Sequence, residues 1–181
     1  MQSALIFLIR TLADLYLLAF LLRFILQWVR AGYRNPLSQL VQRVTSPLVI
    51  PARRMLPSFA GLDVPTLVVL FALEAVVTFA LVALAGYSVS IPTFLFLVVL
   101  RLVSLTLWFY TGALLIYAVL SWFGEREATP MGSLLVEIVE PALRPVRRIL
   151  PPVSGFDLSP LLVMLVCQAG IIALALPSFL R

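Results

Sequence analysis

The chain has 181 residues, 62% of them hydrophobic and only 12% charged, where an ordinary soluble domain is about a quarter charged. That surplus, with a mean hydropathy of +1.11, exceeds what a soluble core of this size can hide and points to the bilayer as solvent. The net charge of +5 comes from thirteen arginines, without lysine or histidine, a balance suited to anionic phospholipid headgroups and not to direct nucleic-acid binding.

Residues 3–29 form the first apolar segment. It has no basic leader and no small-residue cleavage site, and Arg10 interrupts it, so it reads as a retained span. The connection 30–63 carries Arg30, Arg34, Arg43, Arg53 and Arg54. Asn35 predicts an N-cap with Pro36 in the first turn, and Leu37, Leu40, Val41 and Val44 follow at amphipathic-helix spacing. A second short helix is predicted from Pro47, kinked at Pro51 and ended by Pro57. Its apolar side is Val49, Ala52, Met55 and Leu56, with Arg53 and Arg54 at headgroup level, as in a helix lying in the interface. Asp63 is placed to cap the second span, 64–85, where a carboxylate also meets the helix dipole.

An uncharged connection, GYSVSI, leads to the third span, 93–123, which is longer than one straight crossing needs and is expected to tilt or to bend near Gly112. The connection 124–157 carries Arg126, Arg144, Arg147 and Arg148, and the fourth span is 158–180. The first and third connections share one side, and their arginines make it cytoplasmic, with both termini outward. An all-α membrane protein with four transmembrane helices follows from this reading.

An offset of 94 residues aligns the two halves without a gap. Tyr16, Leu26 and Trp28 meet Tyr110, Leu120 and Trp122; Pro36 meets Pro130. Pro47, Pro51, Arg53, Arg54, Pro57, Gly61 and Asp63 meet Pro141, Pro145, Arg147, Arg148, Pro151, Gly155 and Asp157. Residues 1–90 and 91–181 are thus two repeats, each span–connection–span and therefore parallel, not inverted. In the second copy Thr129 is the N-cap. Met131, Leu134, Leu135 and Ile138 repeat the first amphipathic stripe, and Leu143, Val146, Ile149 and Leu150 the second.

Five ionisable residues lie within the apolar spans: Arg10, Asp14, Arg23, Glu74 and Arg101. Each needs a partner or an exit, because a charge at a helix centre costs about 2.5–3.5 kcal/mol on an insertion scale. Arg10 and Arg101 are expected to snorkel to the outer interface, Asp14 to pair with Arg10 one turn away, and Arg23 to reach Glu74. These charges orient the bundle or line an ion path. Cys167 reads as a small core residue. With one cysteine and no histidine there is no disulfide, zinc or iron–sulfur set, and no cofactor is expected.

Two copies of P-x₃-P-x-R-R-x-[LI]-P followed by G-x-D resemble the YggT (YlmG-related) family of bacterial and plastid membrane proteins, over nearly the whole chain. The second copy continues Asp157-Leu-Ser-Pro, as the family often does; the first has Asp63-Val64-Pro65 and lacks that hydroxyl. The resemblance implies an integral membrane protein without established enzymatic activity. It implies roles of the kind linked to bacterial relatives (osmotic-stress tolerance, cell division, nucleoid distribution) or plastid ones (nucleoid distribution, maturation of a b-type cytochrome). No nucleophile–base pair, metal motif or glycine-rich phosphate loop is present. The expected function is therefore a non-catalytic membrane organiser or assembly factor. It would bind anionic phospholipid through Arg43, Arg53, Arg54, Arg144, Arg147 and Arg148, and its partners would be other membrane proteins, a second copy included. A small channel or transporter in ion or osmotic balance is the alternative.

Overall fold

The computed structural model describes residues 2–31, 35–57, 61–122, 129–149, 157–177 and 180. They form six helices: α1 Gln2–Trp28, α2 Pro36–Met55, α3 Val64–Leu84, α4 Ile91–Trp122, α5 Pro130–Ile149 and α6 Ser159–Ala173. No β-strand occurs among the described residues. Arg34, Arg126, Leu150, Pro151 and Gly155 of the expected motifs lie outside them.

Three helices are long and apolar enough to cross a membrane, over Ala4–Trp28, Val64–Leu84 and Ile91–Ser121. Their outward residues, such as Leu12 and Leu15 on α1, Phe71 and Phe79 on α3, and Phe96 and Ile116 on α4, are large, apolar and exposed, a surface that lipid and not water can cover. α4 continues unbroken through Gly112. The fourth segment is shorter than the expected 158–180. α6 has 15 residues, about 22 Å at 1.5 Å per residue. It stops at Ala173, and Ala175 takes a left-handed φ of 45°. Pro177, which biases its predecessor away from helical backbone, bars a straight continuation.

Each arginine-bearing connection forms one 20-residue helix, α2 or α5, instead of two short ones. Pro47 and Pro51, like Pro141 and Pro145, sit one turn apart inside the helix and are exposed, so the carbonyls they leave without donors fall on a face that can be solvated. The expected N-caps are present: Asn35 Oδ1 accepts the Leu37 N–H at 2.9 Å and Thr129 Oγ1 the Gly132 N–H at 3.1 Å. The buried stripes match those expected only in part. α2 buries Ser38, Val41, Thr45 and Val49, leaving Leu40, Val44 and Met55 exposed. α5 buries Gly132, Leu134, Ile138, Val139 and Leu143, leaving Met131 and Ile149 exposed. On α2 the inner stripe is partly polar because a guanidinium lies beneath it: Thr45 Oγ1 accepts from Arg23 Nη1 at 2.7 Å.

α1, α2 and α3 pack on one another, α4, α5 and α6 do likewise, and α4 joins the two sets by packing on α3 and α1. The shared core holds Leu17, Phe20 and Ile25 of α1 with Leu114 and Tyr117 of α4, Leu143 of α5 and Cys167 of α6. Gly170 of α6 allows the close α4 contact, since a Cβ there would stand 3.0 Å from Leu107 Cδ1. At the arginine-bearing end Asn35 Nδ2 donates to the Pro130 carbonyl, tying the start of α2 to the start of α5.

Candidate functional site

Two arginine clamps stand at the end of the bundle where α2 and α5 return toward α3 and α6. In the first, Arg53 Nη2 donates to Asp63 Oδ2 at 2.7 Å. Thr66 Oγ1 donates to the same oxygen at 2.6 Å, and Arg23 Nε stands 3.9 Å from it. The bond ties the end of α2 to the residue that opens α3. Gly61 makes the turn between them possible with a φ of +82°, a conformation that favours glycine. Asp63 stands at the N-cap position of α3, but its side chain accepts no backbone N–H there. This corrects the expected cap: Pro65, at the position whose N–H serves Asp157 in the second copy, has none to offer, and Thr66 bonds Asp63 through its hydroxyl instead. Thr66 supplies the hydroxyl that the Val64-Pro65 sequence lacks, one residue beyond the position that Ser159 holds in the second copy.

The second clamp repeats the bond with other company. Arg147 Nε and Nη2 both reach Asp157 Oδ2, at 3.0 and 2.7 Å. Arg147 also donates Nη1 to Glu140 Oε2 and Nη2 to Tyr117 Oη, each at 2.8 Å. Asp157 Oδ1 accepts the Ser159 N–H at 3.0 Å, so here the acid does meet the start of the following helix, α6. Tyr117 occupies the position of Arg23, and Glu140 that of Ser46, at the 94-residue offset. Burial raises the pKa of both acids, but the bonds they accept outweigh it. Arg53 and Thr66, with the charges of Arg53 and Arg23, hold Asp63 below the usual carboxylate range. Ser159 and Arg147 do the same for Asp157. Arg147 is raised despite its burial by Asp157 and Tyr117.

A separate cluster lies inside the bundle at mid-length of α1 and α3. Arg101 of α4 donates Nε to Glu74 Oε1. Its Nη2 donates to Asp14 Oδ1 at 2.6 Å and its Nη1 to the Leu180 carbonyl at 2.8 Å. Thr78 Oγ1 adds a bond to Glu74 Oε1 at 3.1 Å, while Glu74 Oε2 is buried without a partner among the described residues. Arg101 is 5% and Glu74 1% exposed. Three expectations are thereby corrected. Arg101 does not snorkel, because α4 packs on both α1 and α3 and turns it between two carboxylates. Arg23 does not meet Glu74; it bonds Thr45 and Ser46 and approaches Asp63. No ion pair joins Arg10 to Asp14 among the described residues; Arg10 stands 5.6 Å over the Phe7 ring.

The CCB3/YggT family model matches residues 2–84 and again 96–177. The chain belongs to the CCB3/YggT family. An uncharacterized protein of Pseudomonas aeruginosa is 41% identical over 167 residues, 91% of this chain and 85% of that one. The uncharacterized protein YggT of Escherichia coli K12 is 32% identical over 164 residues, again 91% and 85%. A Vibrio alginolyticus protein named for its place in the proC 3′ region is 36% identical over 169 residues, 92% and 91%. No solved structure matches the chain. The double match makes the internal repeat a tandem pair of YggT units.

Within this YggT-family chain the two arginines of each pair have different fates. Arg53 and Arg147 are held in the clamps, whereas Arg54 and Arg148 are exposed and form no ion pair among the described residues. Arg43 is exposed in the same way, and Arg144 pairs with Glu140 at 3.3 Å on the helix surface. Sequence reasoning assigned all six arginines alike and missed Thr66, Tyr117 and Glu140. The usable signal was the ten-residue Arg-to-Asp spacing, identical in both repeats. Among the described residues no group of three or more His, Cys, Asp or Glu gathers to hold a metal.

Proposed function

We propose that this chain is a non-catalytic, multi-pass inner-membrane protein that binds anionic phospholipid at its arginine-bearing end and presents α2 and α5 to other membrane proteins. In this reading α6 is the fourth span, the repeats are parallel, and the arginine end is cytoplasmic with the termini outward. The apolar, exposed Leu161, Leu165, Val166 and Ile172 of α6 support a lipid-facing helix. The observation that carries the reading is the exposure of Arg54 and Arg148 beside the equally exposed Met55 and Ile149 at the ends of α2 and α5. Apolar groups entering the acyl boundary beside exposed guanidinium groups are the chemistry of an interfacial anchor. Each arginine near an anionic leaflet contributes about 1 kcal/mol. Assembly or organisation roles of the division, nucleoid or cytochrome kind fit such a protein.

The test is lipid retention in nanodiscs. Replacing Arg43, Arg54, Arg144 and Arg148 with Gln should lower enrichment of anionic lipid around the protein while leaving insertion intact. An unchanged lipid preference would sink this reading.

A second reading, ion or proton movement, is favoured by one feature. Glu74 keeps a buried oxygen without a partner among the described residues, and its partner Arg101, with the second carboxylate of that guanidinium, Asp14, lines a cavity of about 300 Å³ together with Arg10, Ser104 and Trp108. Glu74→Gln should abolish a flux measured in proteoliposomes; a wild-type protein that passes no ion removes this alternative.

A further inference from the structure

The first clamp opens onto a polar cavity. It measures about 210 Å³ and is lined by Arg23, Gln27, Ser38, Gln42 and Arg53, closed by apolar Leu26, Ala31 and Val41. One water needs roughly 15 Å³ of such space, so the cavity admits a polyatomic group. Ser38 is only 3% exposed, yet its Oγ has no hydrogen-bond partner among the described residues. A hydroxyl so deeply buried is costly unless something bonds it. Arg53 spends only Nη2, on Asp63 and Gln27, so its Nε and Nη1 bond nothing among the described residues. Two guanidinium groups, a hydroxyl and two amides around one hollow make a donor-rich lining of the kind that receives a multi-oxygen anion.

The second repeat serves as an internal contrast. At the positions of Arg23, Ser38 and Gln42 it carries Tyr117, Gly132 and Val136, and it sets the Glu140 carboxylate against Arg147. A guanidinium, a hydroxyl and an amide are lost at these positions and a carboxylate is gained. The arginine–aspartate clamp is therefore duplicated while this set of donors is not.

We infer that the cavity between α1 and α2 is a binding site for a phosphoryl oxyanion, held by Arg23, Arg53 and Ser38. It rests on the lipid reading only for one source of that anion, a phospholipid headgroup; free phosphate is the other. It uses none of the exposed arginines of that reading.

The experiment is calorimetric titration of the purified full chain in detergent, in three arms: inorganic phosphate, a short-chain phosphatidylglycerol, and a diacylglycerol of the same chain length without phosphate. Saturable one-to-one binding is expected in at least one phosphate-bearing arm and not with diacylglycerol, and the arm that binds identifies the source. Arg23→Gln should weaken it about tenfold or more, through loss of a charged donor, and Ser38→Ala about threefold. Because Arg23 also supports the clamp, Ser38→Ala and Gln42→Val carry the test where Arg23→Gln fails to fold. Binding in neither phosphate arm, equal binding of diacylglycerol, or binding indifferent to Ser38→Ala and Gln42→Val overturns the site. If only the Arg43, Arg54, Arg144 and Arg148 substitutions reduce phosphatidylglycerol binding, the surface reading stands and the cavity falls; if only the cavity substitutions do, the reverse holds.

Discussion

The two clamps carry the same arginine and the same aspartate at the same spacing, yet their surroundings oppose each other. Around Asp63 a second guanidinium, Arg23, joins Arg53. Around Arg147 a second carboxylate, Glu140, joins Asp157, and the phenol of Tyr117 takes the place of Arg23. The bond that fixes the loop helix to the next helix is thus common to both repeats, while the sign of its neighbours is not. A duplicated motif can keep its mechanical part and free its third partner to diverge, so that one half collects donors and the other quenches them.

The strongest way to break the comparison is to neutralise the acids one at a time. Asp63→Asn leaves Arg53 and Arg23 without the carboxylate they share and should cost about 3–5 kcal/mol. Asp157→Asn should cost less, about 1–3 kcal/mol, because Arg147 retains Glu140 and Tyr117. Thermal unfolding of the two variants in one detergent measures the difference; equal losses would mean that the second partners contribute nothing.

Removing an acceptor comes next. Thr45→Val imports the residue that the second repeat carries at Val139 and takes one acceptor from the buried Arg23. A loss of about 1–3 kcal/mol is expected, against almost none for Val139→Thr, whose new hydroxyl can bond its own helix. The same unfolding assay scores both.

Lysine substitutions sharpen the geometry. Arg147 uses three nitrogens on three partners, which a single ammonium cannot reach together, whereas Arg53 uses one among the described residues. Arg147→Lys should cost about 1–2 kcal/mol and Arg53→Lys under about 1 kcal/mol. The outermost pair should matter least: Arg144→Ala, breaking an exposed contact one turn along α5, should change stability by no more than about 0.5 kcal/mol.

Acid tests both clamps at once. Both acids are held below their ordinary value in the folded state, so their contribution is fully present above the unfolded carboxylate value of about 4 and is lost as pH falls through the depressed folded values. Melting temperature should be nearly flat in this respect from pH 7 to 5 and drop below about pH 4, and the double variant Asp63→Asn, Asp157→Asn should lose much of that drop.

The first three spans and both N-caps of the loop helices were legible in the sequence, because hydropathy and local capping chemistry act over a few residues. The partners of the buried charges were not. A helix that is apolar all round has no periodicity to reveal which way Arg101 turns, and depth alone made Arg23 and Glu74 look like neighbours. Asp63 was read as a cap because it precedes a helix; Pro65, in plain view, removes one of the two donors that a cap can use. The end of α6 was similarly readable from Pro177, had its restriction on the preceding residue been weighed against the apolar run.

The ion bonds also differ in how much chain must exist before they can close. Each clamp joins residues ten apart, whereas Arg101 must find partners 27, 79 and 87 residues away. Loop closure favours the short connection, and a growing chain presents it first. During synthesis the first clamp should therefore fasten its hairpin of helices before Arg101 emerges to meet Asp14 and Glu74, and the second clamp should close as its own stretch follows. A crosslink across positions 53 and 63 forming before one across 14 and 101 would reveal that order. The first clamp is then a device of timing as much as of shape: it gives the first half a finished form before the second half arrives to meet it.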